Sequence, residues 1–388
     1  MRPVVVLAVA MLLLGCVGQQ RNPVPLERLV DAEVVGMTGV RAWGAGLNSD
    51  LQADLLASVQ AEAPGDYPLD ENGVPVYAAL ALSGGGANGA FGAGFLKGWT
   101  EAGSRPRFKL VTGISTGALT APMAFLGEEY DAALEDFYTE VRSKDIYRMR
   151  PAGDSFASSA PLYELISSLV TEALLAEVAR AHERGRRLLI GTTNMDAQQL
   201  VIWNMGAIAG SGHPDAVEVF RKVMLASASI PAAFPPVMFD VEVDGEIFDE
   251  MHVDGGTVSQ VFLHSALVDL KSAREQRYGA GVPSSSSIYL IRNGMLMAEP
   301  KVVPRKLFPI TSRALDTLIK AAGRGDMLRI YALAERDGIP IRAVSIPADY
   351  ESEAEEVFDQ GEMSRLFEIG YQQALSEQPW EDRPPGFR

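Results

Sequence analysis

The stretch Val111-Thr112-Gly113-Ile114-Ser115-Thr116-Gly117-Ala118-Leu119 constrains this chain more than any other. An apolar approach (Phe108, Leu110, Val111) leads into Gly-x-Ser-x-Gly, and small residues (Ala118, Ala121) follow. A strand must turn sharply into a helix at Ser115, and glycines on either side let backbone approach backbone there. Such a turn projects the Ser115 hydroxyl beside the positive end of the next helix, where a nucleophile is favoured. With 37 Gly in 388 residues, roughly a quarter of one such pattern is expected by chance, so its neighbours decide its meaning.

Upstream, Tyr77 to Leu82 reads as a short apolar strand, and Ser83-Gly84-Gly85-Gly86-Ala87-Asn88-Gly89 follows at once. Phe91, Phe95, Leu96 and Trp99 then recur at helical spacing, so the glycine loop opens a helix with free amides at its mouth. Free amides without side chains over them suit an anion or an oxyanion. A nucleotide phosphate loop would carry Gly-Lys-Ser/Thr, which is missing, and a dinucleotide fingerprint spaces its glycines differently.

Three motifs in order, Gly84-Gly85-Gly86-x-x-Gly89, Gly113-x-Ser115-x-Gly117 and Asp254-Gly255-Gly256, resemble the patatin-like phospholipase family. The resemblance runs from about Tyr77 to Ile291 and takes in Leu189–Asp196, Val201–Asn204, Ala226–Pro231 and Phe234–Pro236. It implies a lipid acyl hydrolase, a phospholipase A or related esterase, with a Ser115-Asp254 dyad and an oxyanion hole of Gly84, Gly85 and Gly86 amides. It implies phospholipid or another acyl ester as substrate, and no cofactor or metal. The family often carries Arg or Lys where this chain has Asn88, which still offers an amide donor.

The remaining pattern predicts an α/β three-layer sandwich with a largely parallel central sheet. Leu51 to Val59 reads as a short helix. Leu162 to Val178 reads as one long amphipathic helix closed by Gly185, Arg187 to Thr193 and Leu200 to Trp203 as strands, and Asp215 to Leu225 as a helix stopped by prolines. Asp244-Gly245 between Val237–Val243 and Glu246–Phe248 signals a hairpin whose returning strand carries Asp254. Ser286 to Arg292 and Pro340 to Ile346 read as further strands. Thr311 to Arg336 reads as a helix or a pair broken near Gly323-Arg324-Gly325, and Gly361 to Glu377 as the last helix. Phe91, Phe95, Ile114 and Phe234 are candidates for an acyl channel or for core.

Other serine hydrolase readings deserve a place. Gly153-Asp154-Ser155 with Asp249-x-x-His252 imitates the Gly-Asp-Ser esterase signature, but no strand precedes Ser155. Of the four histidines, His182, His213, His252 and His264, only His264 follows the acid as a triad would require, and it reads as surface at a helix start. His252 shares a strand face with Asp254. A third reading, from another class, keeps the fold as a non-catalytic lipid-binding or scaffolding lipoprotein.

A formal charge of −16 argues against a nucleic-acid binder, which needs a basic surface. It also argues against strong electrostatic attraction of the whole chain to anionic lipid. Met1-Arg2 and the apolar run Val4 to Leu14 fit a signal peptide, too short to span a bilayer. The run ends in Leu13-Leu14-Gly15-Cys16, which resembles a bacterial lipobox and holds the only cysteine in the chain. The expected organisation is 1–15 signal peptide, 16–76 lipid-anchored tether and lead-in, 77–300 catalytic domain, and 301–388 a C-terminal helical extension packed on that domain. Lipidation at Cys16 implies membrane anchoring, and Val17 in place of Asp implies an outer-membrane lipoprotein facing the periplasm.

Overall fold

The computed structural model describes residues 21–45, 49–71, 73–150, 153–263, 275–277, 279 and 286–383. The expected signal peptide, Cys16 and His264 lie outside them. Twelve strands occur among the described residues: β1 (Glu33–Val34), β2 (Arg41–Trp43), β3 (Ala78–Leu82), β4 (Leu110–Ile114), β5 (Arg148–Met149), β6 (Ala157–Ser158), β7 (Arg187–Asn194), β8 (Gln199–Asn204), β9 (Val237–Val243), β10 (Glu246–Asp254), β11 (Ser287–Arg292) and β12 (Ile341–Ser345). The α-helices are α1 (Ser49–Gln60), α2 (Gly89–Glu101), α3 (Thr116–Leu126), α4 (Asp131–Thr139), α5 (Ser143–Ile146), α6 (Ala160–Leu169), α7 (Glu172–Glu183), α8 (Met205–Gly210), α9 (Ala216–Ser227), α10 (Leu307–Asp337) and α11 (Gln360–Ala374).

Largely apolar runs such as Ala78–Leu82 and Leu110–Ile114 are buried on both faces, and they become central parallel strands covered by helices on both sides. β12, β11, β3, β4 and β7 form this parallel core. Side-chain alternation in β3 separates two cores: Leu80 and Leu82 join Phe91, Phe125 and Leu366, while Ala79 and Ala81 join Leu55, Met327 and Ile330. Helices α2, α3 and α11 thus cover one face, and α1 and α10 the other. The layers are those of an α/β sandwich.

The other part of the ten-stranded sheet is antiparallel. β9 and β10 form the expected hairpin, with Asp244 and Gly245 at φ of 51° and 80°, the two left-handed residues of a turn that matches strand twist. β1 pairs with β9 and β2 with β8, so the lead-in is stitched to the sheet from early on. Arg21 bonds Asp196 at 2.9 and 2.7 Å and Asp249 at 2.8 Å. Any free tether therefore ends before residue 21.

One helix expectation changes, and of the two readings of 311–336 the single helix is the one found. The predicted single helix over 162–178 is two, α6 and α7, because Thr171 caps a new start: its Oγ1 accepts from Leu174 N at 3.3 Å, and an N-cap residue is non-helical. Conversely, α10 runs unbroken through Gly323 and Gly325. Gly323 serves close packing there, since a Cβ would lie 3.1 Å from the Arg292 guanidinium carbon.

α2 and α11 touch backbone to backbone. A Cβ on Gly94 would lie 2.9 Å from Phe367 Cα, and one on Gly370 2.9 Å from Phe95 N. Gly94→Ala should therefore cost about 2 kcal/mol or more by overpacking. Its urea midpoint is expected to fall with an unchanged slope, and an unshifted midpoint would contradict this contact.

Candidate functional site

Strand register brings the site together. β7 has two edges, and β8 occupies one of them from Leu189 to Asn194. The other edge is shared. β4 runs parallel along Arg187 to Gly191 and ends with Ile114 opposite Gly191. β10 arrives from the opposite direction along Thr192 to Asn194 and ends with Asp254 opposite Thr192. Two strands thus meet head-on at neighbouring residues of a third. The residue after Ile114 is Ser115, and its hydroxyl comes close enough to the Asp254 carboxylate to favour the charged form of that acid.

Ser115 itself carries the strain of the turn, with φ 54° and ψ −125°, a conformation that costs a non-glycine residue about 1–3 kcal/mol. The flanking glycines are needed for room. A Cβ on Gly113 would sit 2.8 Å from Ala118 Cα, and one on Gly117 2.8 Å from Ser83 O. Ser227, buried on α9, fixes the turn from below: its Oγ accepts from Ser115 N at 3.0 Å and donates to Gly191 O at 2.7 Å.

Asp254 is buried. Its Oδ1 accepts from Gly256 N at 2.7 Å, its amide donates to Ser229 O at 2.9 Å, and its carbonyl accepts from Thr193 Oγ1 at 3.0 Å. Desolvation pushes its carboxyl up to about 7, against the opposing hydrogen bonds from Ser115 and Gly256. A carboxylate poised there can accept a proton near neutral pH.

The glycine loop lies against this pair. A Cβ on Gly84 would fall 3.2 Å from Ser115 Cβ. The three glycines are not equivalent, which corrects the expectation of three donors: Gly84 N already donates to Gln260 O at 3.0 Å. Among the described residues nothing accepts from Gly85 or Gly86 N–H, so these two amides remain for a ligand. Gly86 is left-handed at φ 57°, which suits glycine.

The loop is held by groups that sequence reasoning did not single out. Arg292, buried at the end of β11, donates through Nη1 to Gly84 O and Ser83 Oγ, both at 3.1 Å. Asn293 bonds Ser83 O through Nδ2 at 2.9 Å. Gln260 reaches Gly256 O at 2.8 Å, and its own amide bonds Asp326 of α10 at 2.7 Å. The available signal was position, since polar residues at the carboxyl ends of parallel strands face the ligand edge of such a sheet. Asn88 has no such hold on the loop; the buried cation comes from Arg292 instead.

A small cavity opens beside Ser115 and Gly86. Its walls are apolar, with Leu119, Phe137, Leu162, Phe234, Phe358 and Met363 among them. Of the acyl-channel candidates only Phe234 lines it; Phe91, Phe95 and Ile114 are core. Three other candidates fall away from the dyad. Ser155 Oγ donates to Ala157 O at 2.9 Å in an exposed turn. Asp249 is tied to Arg21. His252 is buried with Nδ1 on Thr192 Oγ1 at 2.8 Å and Nε2 on Glu250 at 3.1 Å, and burial lowers its pKa. His182 pairs with Asp54 and His213 with Asp215. Among the described residues no group of three His, Cys, Asp or Glu side chains could hold a metal ion.

Ser227→Ala removes both hydrogen bonds of the turn at once. Turnover on any substrate of this site should fall about tenfold or more while the thermal midpoint drops only a few degrees. Unchanged turnover would show that Ser227 does not position Ser115.

Comparison with known proteins follows this geometry. Residues 80–267 match the family model for patatin-like phospholipase. Among solved structures the chain is similar to VipD from Legionella pneumophila, at 14% identity over 79% of this chain and 68% of that one, with a TM-score of 0.41. It is also similar to human GIVD cytosolic phospholipase A2, at 12% identity over 89% of this chain and 64% of that one, with a TM-score of 0.35. No curated protein sequence matches significantly.

Proposed function

We propose, from the match of residues 80–267 to the family model for patatin-like phospholipase, that the chain hydrolyses acyl esters of lipids through Ser115 and Asp254. What supports this reading is that the Ser115 hydroxyl and the Asp254 carboxylate lie beside each other, both buried, next to an apolar cavity. Ser115 Oγ adds to the ester carbonyl as its proton passes to the Asp254 carboxylate. The amides of Gly85 and Gly86 receive the negative charge that develops on the carbonyl oxygen. Collapse expels the alcohol, which takes the proton back from Asp254. Water then gives a proton to the same carboxylate and attacks the acyl group, releasing the acid and restoring Ser115. The apolar cavity suits an acyl chain.

A fluorophosphonate probe should label the wild type and fail on Ser115→Ala, and Ser115→Ala and Asp254→Asn should each lower kcat by several orders of magnitude. Ser155→Ala should keep most activity. An unlabelled, folded wild type would favour a non-catalytic lipid-binding role, and an inactive, folded Ser155→Ala would move the nucleophile.

The pH dependence carries a definite sign. The working form of Asp254 is the carboxylate, so kcat/KM should rise through pH 7 and fall tenfold per unit below it. The folded state holds this proton more tightly than the unfolded chain does, so the group's stabilising contribution is complete below about pH 4 and is lost as pH rises toward 7. Asp254→Asn should therefore be inactive yet more thermostable than wild type at pH 8, by about 1–3 kcal/mol. A lower midpoint at pH 8 would refute the desolvated carboxylate.

Cys16 and its flanks support a lipoprotein reading, with the outer membrane as its place. Several acyl chains on Cys16 would hold the enzyme at a bilayer firmly, where its substrate is concentrated. Cys16→Ser is expected to leave the membrane fraction after a high-salt wash with purified activity on soluble esters nearly unchanged. Retention in that fraction would assign attachment to residues 4–14 or to the domain.

A further inference from the structure

Helix α10 is unusual in how it presents its apolar residues. Its second half packs on the sheet through Met327, Ile330 and Ala334. Its first half, Leu307 to Lys320, carries an apolar stripe that is open among the described residues: Leu307 is 85% exposed, Leu318 65%, and Leu315 and Ile310 50% each. At 3.6 residues per turn this stripe lies nearly half a turn from the buried face of the second half. The polar flank is the one that turns inward, with Lys320 Nζ donating to Met297 O at 3.0 Å and ion-pairing Glu299, while Arg313 bonds Glu299 O. Val302, 93% exposed, extends the apolar surface just before the helix.

The charge of this segment opposes that of the chain. Residues 297–324 hold Lys301, Arg305, Lys306, Arg313, Lys320 and Arg324 against only Glu299 and Asp316, in a protein of net charge −16. An apolar stripe flanked by Lys and Arg is the pattern of a helix that lies in a bilayer interface. Among the described residues no helix is long and apolar enough to cross a membrane.

Topology places this surface at the site. α10 descends to the start of β12, which runs parallel to β11 and β3, so its first half projects at the carboxyl edge of the parallel strands, where Ser115 and the glycine loop lie. Asp326, one turn below the projecting half, bonds Gln260 beside that loop. Arg21 is clamped to Asp196, which follows β7 at the same edge, and the chain from Cys16 to Arg21 spans at most about 18 Å. Phe156 and Ile230, partly or largely exposed, stand on the segments around the cavity mouth.

We propose that the cationic amphipathic first half of α10 docks on an anionic phospholipid surface and so faces the cavity mouth toward the bilayer. This deepens the acyl hydrolase reading by naming the form in which substrate is met, and it can fail separately. In a Cys16→Ser background the full chain has no other thiol, so an environment-sensitive fluorophore on Leu315→Cys reports the helix alone. Phosphatidylcholine vesicles containing about 30% phosphatidylglycerol should raise its emission about threefold with a blue shift. Pure phosphatidylcholine should do so weakly, salt near about 0.5 M should weaken the response, and a label on Ala332→Cys should not respond. No change at residue 315 with the anionic vesicles overturns the proposal. So does the same change on concentrating the protein without lipid, which would make a second copy the occupant. In the lipidation-competent chain, Leu315→Glu with Leu318→Glu should cut hydrolysis of phosphatidylglycerol vesicles about tenfold and leave a soluble short-chain ester within about twofold. Equal loss on both substrates would mean that the helix shapes the site instead. A fluorescence response in a wild type that hydrolyses neither substrate supports docking and removes the hydrolase reading.

Discussion

The whole arrangement depends on two strands that share one edge of a third. β4 occupies β7 up to Gly191 and β10 takes over from Thr192, so the chain ends there rather than passing by, and whatever follows each strand is forced into contact. That junction brings residues 115 and 254 together across 139 positions of sequence. It also explains the glycines at 191 and 255: a Cβ on either would lie within 3 Å of the Ile114 side chain. Close backbone packing at the junction buries the acid.

Dryness then sets the electrostatics. Asp254 is pushed up to about 7 chiefly by desolvation, with the Ser115 hydroxyl and the Gly256 amide acting against that shift. On the far side of the glycine loop, Arg292 is buried and its pKa is lowered to about 10 by the same cause. Its guanidinium holds the Gly84 carbonyl, which aligns the next peptide dipoles with their N–H ends toward the site. A burial cost is accepted at both ends of the loop so that charge and donors are in place before a ligand arrives, the condition under which electrostatic stabilisation is strongest.

The last third of the chain completes what the matched segment begins. β12 adds the outer parallel strand, α11 packs on α2, Phe358 and Met363 wall the cavity, and Asp326 steadies Gln260. These contributions come from beyond residue 267, where the family match ends. The net charge of the chain says little about this region, because its acidic residues are concentrated elsewhere and the segment before and within α10 is basic.

Much of this was written in local sequence. Five-residue apolar runs can only be buried parallel strands, Asp244-Gly245 can adopt two left-handed residues in succession, and the glycines around Ser115 announce a turn too tight for side chains. Local pattern failed where a local choice was decided by a distant partner. Thr171 looks like the interior of an amphipathic helix until its hydroxyl caps α7, and Gly323 looks like a break until Arg292 and Gln260 fill the space a Cβ would need. The same holds for the site. Sequence by itself determined the tight turn at Ser115, the glycine loop and the Asp254-Gly255-Gly256 corner as separate pieces, because each is a property of a few adjacent residues. Only the tertiary structure decided that Gly84's amide is already spent on Gln260, that Ser227 and Arg292 hold the pieces in place, and that His252 looks away toward Thr192. These are hydrogen bonds between residues 30 or more positions apart, and no periodicity within a strand or helix encodes them.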